Sequence, residues 1–147
     1  MLRIPMLARR PGHLPAGVVS EALQCQVDLP VTFLDAAGIS APGAMQGLSQ
    51  WRAWRGETAP ARDWVLVENR HNPTTVHLRT LVTSRFKITV YRGHDYGELF
   101  DLEADPHELR NLWDEPRYAD VKAGLLLRFV QAEMEREPTR MPRIAGA

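Results

Sequence analysis

Gly97-Glu98-Leu99-Phe100-Asp101-Leu102-Glu103-Ala104-Asp105-Pro106-His107-Glu108-Leu109-Arg110-Asn111-Leu112 decides how this chain is read. Glu98 to Leu102 has the composition of a short strand. Asp105 can then cap a helical turn, and Pro106 suits the first helical position, where a missing N–H costs nothing. Glu108 falls where its carboxylate can reach back to the capping residue's N–H, so the spacing predicts a capping box. A strand, a turn and a capped helical turn follow one another without a break.

Upstream, apolar residues recur at period two, the spacing at which alternate side chains share one face of a sheet. Trp64-Val65-Leu66-Val67 is a continuous apolar run and predicts a strand buried on both faces. Val76, Leu78, Thr80 and Val82 alternate with more polar neighbours, as do Phe86, Ile88 and Val90, and Ser84-Arg85 predicts a hairpin between them. The loop Arg92 to Tyr96 leads into the strand of the opening stretch. Downstream, Tyr118, Val121, Leu125, Leu126, Phe129, Val130 and Met134 recur at spacings of three and four. They predict an amphipathic helix from about Pro116 to Glu135 lying across one face of the sheet. Pro138 stops it, and the tail through Ala147 is expected to be loose.

The pattern before residue 59 differs. Arg3 to Ala8 suggests a short strand, Arg10-Pro11-Gly12 a turn, and Asp28 an N-cap for a helix that Gly38 ends. Val31, Phe33, Leu34, Ala36 and Ala37 wrap that helix in apolar groups, so it needs cover on several sides. Ser40 to Ala61, rich in Gly, Pro, Trp and Arg, reads as a long connection with a short helix from about Leu48 to Trp54. The fold class is therefore α+β: a small four-stranded antiparallel sheet packed against a C-terminal amphipathic helix, preceded by a strand-loop-helix remnant of a larger α/β domain. The expected division is 1–58 for the remnant and connection, and 59–147 for the sheet and helix.

Composition excludes several functions. With 18 basic and 18 acidic side chains in 147 residues, no net field gathers polyanions, so neither nucleic acid nor a membrane surface is an expected partner. No transmembrane segment or signal peptide is recognised in this chain, and the compartment stays open. The single cysteine, Cys25, reads as a small apolar side chain and cannot build a multi-thiolate zinc site. Gly47-Leu48-Ser49-Gln50-Trp51 lacks the second glycine of a nucleophile elbow, and neither a phosphate loop nor a His-Glu-x-x-His helix occurs. His71, His77, His94 and His107, with Asp95, Asp101 and Asp105, match no metal-ligand spacing and read as separate surface or capping groups.

Five segments in order resemble the C-terminal region of sulfatases of the alkaline phosphatase superfamily, the formylglycine-dependent type. They are Arg3-Ile4-Pro5 with Pro11-Gly12 and Pro15-Ala16-Gly17; Asp28 to Gly38; Gly47-Leu48-Ser49; Arg79 to Lys87 with its Arg, Thr and Lys; and the opening stretch. In the second, Val31 stands where the family usually has proline, and Pro30 comes one position earlier. The resemblance runs from about Leu2 to about Val130.

It implies a C-terminal subdomain of a sulfuric ester hydrolase, completing the fold and bordering the substrate cleft. It also implies that a complete enzyme would use a divalent metal (calcium) and a formylglycine made within a Cys/Ser-x-Pro/Ala-x-Arg motif. No such motif is present: Cys25 is followed by Gln26-Val27-Asp28-Leu29. Hence no catalytic residue, cofactor or metal ligand is assigned in this chain, and it is expected to be inactive alone. The candidate substrate contacts are Glu68, Asn69, Arg70, His71 and Asn72, a polar cluster presented by the end of a rigid strand. The expected partners are a catalytic N-terminal portion or, through residues 1–58, a second copy. The alternative reading is a stand-alone binding or assembly module derived from a sulfatase.

Overall fold

The computed structural model describes residues 4–57, 59–72 and 76–136, the side chains of His71 and Asn72 excepted. The chain forms two compact units, Met1–Asp63 and Trp64–Ala147.

The second unit is a four-stranded antiparallel sheet in the order β1-β2-β3-β4: Trp64–Asn72, Val76–Thr83, Phe86–Tyr91 and Gly97–Asp101. Its register aligns Leu66, Leu81, Ile88 and Leu99 in one row across all four strands. The last three of these are fully buried, and with Leu112, Phe129 and Ala132 they form the core. A 3₁₀ turn at Pro116–Tyr118 leads into α3, Ala119–Arg136, which supplies Phe129 and Ala132. The helix therefore starts one turn later than the periodicity predicts. Its buried stripe runs through Phe129 and Ala132, while Val130 and Met134 are exposed. At 3.6 residues per turn Ala132 sits over Phe129, and Val130 is turned away from the sheet.

β1 extends beyond its apolar run, because the ladder to β2 continues through Glu68, Asn69 and Arg70 before the register shifts. It is an edge strand, and of its apolar run only Val65 is buried, so burial on both faces is not observed. At the β2–β3 turn the Thr83 hydroxyl accepts from the Phe86 N–H at 2.9 Å and donates to the Phe86 carbonyl at 3.1 Å, which replaces Asn-Gly chemistry.

The opening stretch is a joint built differently from the capping box expected of it. Residues 102–115 form turns, not a helical turn. The Asp105 N–H donates to the Asp101 carbonyl, and Glu108, at φ 56°, pairs with Lys87 instead of returning to residue 105. A left-handed residue cannot continue a helix, and a nearby ammonium outcompetes a backbone N–H for the carboxylate. The joint rests on Asp101 and Asn111. Buried Asp101 accepts from Arg85 Nη2 at 2.9 Å and from the N–H groups of Glu103 and Ala104. Asn111 Oδ1 accepts from the Leu99 N–H at 2.9 Å, and its Nδ2 donates to the Gly97 carbonyl at 3.0 Å.

In the first unit, residues 4–8 form no strand, and Arg3 lies outside the described residues, as do Pro138 and the tail. α1 spans Asp28–Ala36 and α2 only Trp51–Trp54. Gly38 (φ 72°) ends α1 as expected: its N–H meets the Asp35 carbonyl and the Ile39 N–H meets the Leu34 carbonyl. Asp28 is the first helical residue, not the cap; Val27 holds that position with no side-chain bond. The Asp28 carboxylate instead accepts from the N–H groups of Cys25 (3.0 Å) and Leu48 (2.8 Å) and from the Arg62 guanidinium. Thr32 extends this network, donating to the Asp28 carbonyl and accepting from the Gln50 N–H. Cys25 is half-buried.

Candidate functional site

β1 divides the candidate side chains Glu68, Asn69 and Arg70 between its two faces. Cross-strand pairs share a face, so Asn69, Leu78 and Tyr91 lie in one row on the face away from α3. Glu68 lies one residue off and faces the helix: it pairs with Arg70 at 2.5 Å and comes within 4 Å of His77, Arg79 and Arg136. Burial disfavours its charge, yet the guanidiniums of Arg70 and Arg79 hold its carboxyl below the usual range. Arg79 also binds Glu133 of α3 at 2.6 Å. Glu68 and Arg70 thus belong to an ion-pair network that ties the sheet end to the helix, whereas exposed Asn69 presents its amide on the opposite face. His71 and Asn72 continue β1 past the register shift, and their side chains are outside the description.

The same end of the sheet carries a ring cluster where residue order alone shows a strand end and a loop. The rings of Tyr91 and Tyr96 stack at 4.9 Å and 22°, and His94 meets both edge-on at 6.4 and 5.8 Å. The Tyr91 hydroxyl donates to Glu98 Oε1 at 2.9 Å; burial and the neighbouring carboxylate push its pKa up, so it stays protonated. Three aromatic or imidazole rings within six residues were the available signal.

In the first unit the usual partition is reversed. The fully buried residues of α1 are Asp28 and Thr32, while Phe33 is 61% exposed and Leu7 101% exposed. Leu7, Leu14, Phe33, Trp51 and Trp54 line an open concavity of about 520 Å³.

Calcium requires six to eight oxygen ligands, drawn largely from converging carboxylates. Among the described residues no three His, Cys, Asp or Glu side chains come together. Asp101 is occupied by Arg85 and two backbone N–H groups, His77 faces Glu68, and His94 packs on tyrosines. These residues do not fit the metal and formylglycine that the sulfatase family implies for its full-length enzymes. Among the described residues no helix is long and apolar enough to cross a membrane.

Comparison with known proteins agrees with the resemblance. The family described as N-sulphoglucosamine sulphohydrolase, C-terminal, matches residues 1–135. An N-acetylglucosamine-6-O-sulfatase of Bacteroides thetaiotaomicron is 31% identical over 131 residues, 84% of this chain and 24% of the relative. An arylsulfatase of Clostridium perfringens is 31% identical over 137 residues, 90% of this chain and 28% of the relative. The solved structure of BT4656 in complex with its substrate D-glucosamine-2-N,6-O-disulfate superposes with a TM-score of 0.79 at 26% identity, over 91% of this chain and 29% of that one. The chain spans about a quarter of the length of the curated relatives it matches. On the family match, the relatives and the shared fold, the chain belongs to the N-sulphoglucosamine sulphohydrolase C-terminal family, and it is a C-terminal subdomain of the sulfatase kind.

Proposed function

We propose that this chain completes the fold of a sulfate-ester hydrolase and borders its substrate cleft, while the chemistry is done by a catalytic portion on the same polypeptide or on a separate one. The observation that carries this is the combination of a family match over residues 1–135 with a sequence that has no formylglycine motif. Calcium and formylglycine belong, in this reading, to the catalytic portion, and no step is assigned to them here. Residues 1–58 act as the share of the α/β layer that meets that portion, and 59–147 as the bordering subdomain. The exposed Leu7 and Phe33 support this, since apolar surface of that kind marks interaction sites.

The substrates we assign to the assembled enzyme are sulfate esters of amino sugars, the class that appears in the name of one relative and as the bound substrate of a similar solved structure. Glu68, Asn69, Arg70, His71 and Asn72 are the proposed cleft-side group. Asn69 is the direct contact, and Glu68 with Arg70 position the strand end.

The test is hydrolysis of an aryl sulfate, with calcium added, by the purified chain and by the chain coexpressed with the catalytic portion of a relative lacking its own C-terminal quarter. The chain alone should be inactive and the pair active. Turnover by the chain alone would overturn the reading. An inactive, non-associating pair with residues 1–58 well protected from hydrogen exchange would favour a stand-alone module.

A further inference from the structure

We propose that Tyr91, His94 and Tyr96 form a sugar-stacking subsite at the β3–β4 end of the sheet. The choice of sugar as ligand rests on the amino-sugar sulfate reading above; the geometry stands apart from it. The rings are arranged before any ligand arrives. Tyr91 is fixed by its hydroxyl on Glu98, Tyr96 lies nearly parallel against it, and His94 buttresses both rings edge-on. Preorganised rings lose little side-chain freedom on binding. Tyr96 is 51% exposed and His94 is exposed, so the group reaches solvent.

The stacking also decides the kind of ligand. Rings 4.9 Å apart and almost parallel leave no gap for a cation, so this is not a cage for a quaternary ammonium. It is a ledge. The negative face of an aromatic ring attracts the polarised C–H bonds on the flat side of a pyranose, whose hydroxyls then point outward to polar partners. Such partners are at hand. Arg92 and Asp95 are exposed in the same loop, and Asn69 lies in the Tyr91 row, two strand spacings or roughly 10 Å away. A sugar chain entering a cleft beside Asn69 would lay a more distant ring on the tyrosines.

The experiment is saturation-transfer NMR on the full chain with chitotriose, a neutral oligomer of N-acetylglucosamine, and with N-acetylglucosamine-6-sulfate. Transfer to the sugar C–H protons is expected for both probes. Tyr96→Ala should weaken binding about tenfold, while Tyr96→Phe, which keeps the ring, stays within about twofold of the parent. His94→Ala, which leaves the tyrosine stack in place, provides a second variant and should weaken binding less. No transfer from the parent chain, or equal binding by folded Tyr96→Ala, would overturn the proposal. Because the readout needs no catalytic partner, a failed coexpression with sugar binding intact counts against the hydrolase reading alone.

Discussion

Arg62 grips Asp28 with both arms of its guanidinium, Nε to Oδ2 at 2.6 Å and Nη2 to Oδ1 at 2.5 Å, and the carboxylate is wholly buried. The pair anchors α1 to the connection that follows it, because the same carboxylate also holds the Cys25 and Leu48 N–H groups. Replacing Asp28 takes away the negative charge that faces this guanidinium in a buried setting. Asp28→Asn should cost the first unit about 3–5 kcal/mol. Amide exchange at Leu48 would read it directly, and an unchanged rate there would refute the anchoring role. Arg62→Met with Asp28→Leu should recover only part of the loss, because two backbone donors still lack their acceptor.

Gly97 is required by close approach and not by a left-handed backbone. A Cβ there would lie 2.5 Å from Trp113 Cζ3 and 2.6 Å from the Thr89 carbonyl oxygen. Gly97→Ala should therefore destabilise the second unit by about 1–3 kcal/mol, measured by urea unfolding followed by near-ultraviolet circular dichroism. Adding Trp113→Leu should relieve part of this, since the indole can be trimmed and the backbone oxygen cannot.

Leu81, Ile88 and Leu99 form the completely buried centre of the sheet row. Leu81→Ala should cost about 2–5 kcal/mol, whereas Met134→Ala, at an exposed site on α3, should stay within about 0.5 kcal/mol. Equal effects at the two positions would mean that the helix docks through a different face.

Asp28 and Asp101 set the response to acid. For Asp28, burial opposes ionisation, but Arg62 and two backbone N–H groups outweigh it and hold the carboxyl below its ordinary range. For Asp101 the Arg85 hydrogen bond is the main cause of a shift in the same direction. A carboxyl depressed on folding adds stability that is present above its unfolded pKa and lost as pH falls through the folded value. The urea midpoint should thus hold from pH 7 to 5 and drop once pH passes below about 4. Asp101→Asn should flatten that drop in the second unit, and an equally steep fall would assign it to other groups.

Much of the second unit was legible because alternation in β2 and β3 is a direct imprint of a half-buried sheet, as Leu81 and Ile88 show. What was not legible depended on competition between distant groups. Nothing near Glu108 in sequence reveals that Lys87 will take its carboxylate, and nothing near Asp28 reveals Arg62. β1 outran its apolar run because pairing with β2 carries polar residues along with it. For the candidate site, the strand-end location could be read, but strand alternation sets Glu68 and Arg70 on the face opposite Asn69, a division that a run of polar residues does not display. The tyrosine ledge depends on stacking across a turn, which residue order alone does not encode.

The grip of Asn111 on Gly97 and Leu99, with the Leu112 N–H on the Leu99 carbonyl, has one more effect. An amide side chain occupies the outer hydrogen-bonding groups that a neighbouring strand would need, which is a means of discouraging edge-to-edge association. The sheet is therefore terminated chemically as well as topologically: no fifth strand can add beyond β4 until Asn111 has been displaced. The same residue that secures the joint also closes the β4 edge of this sheet.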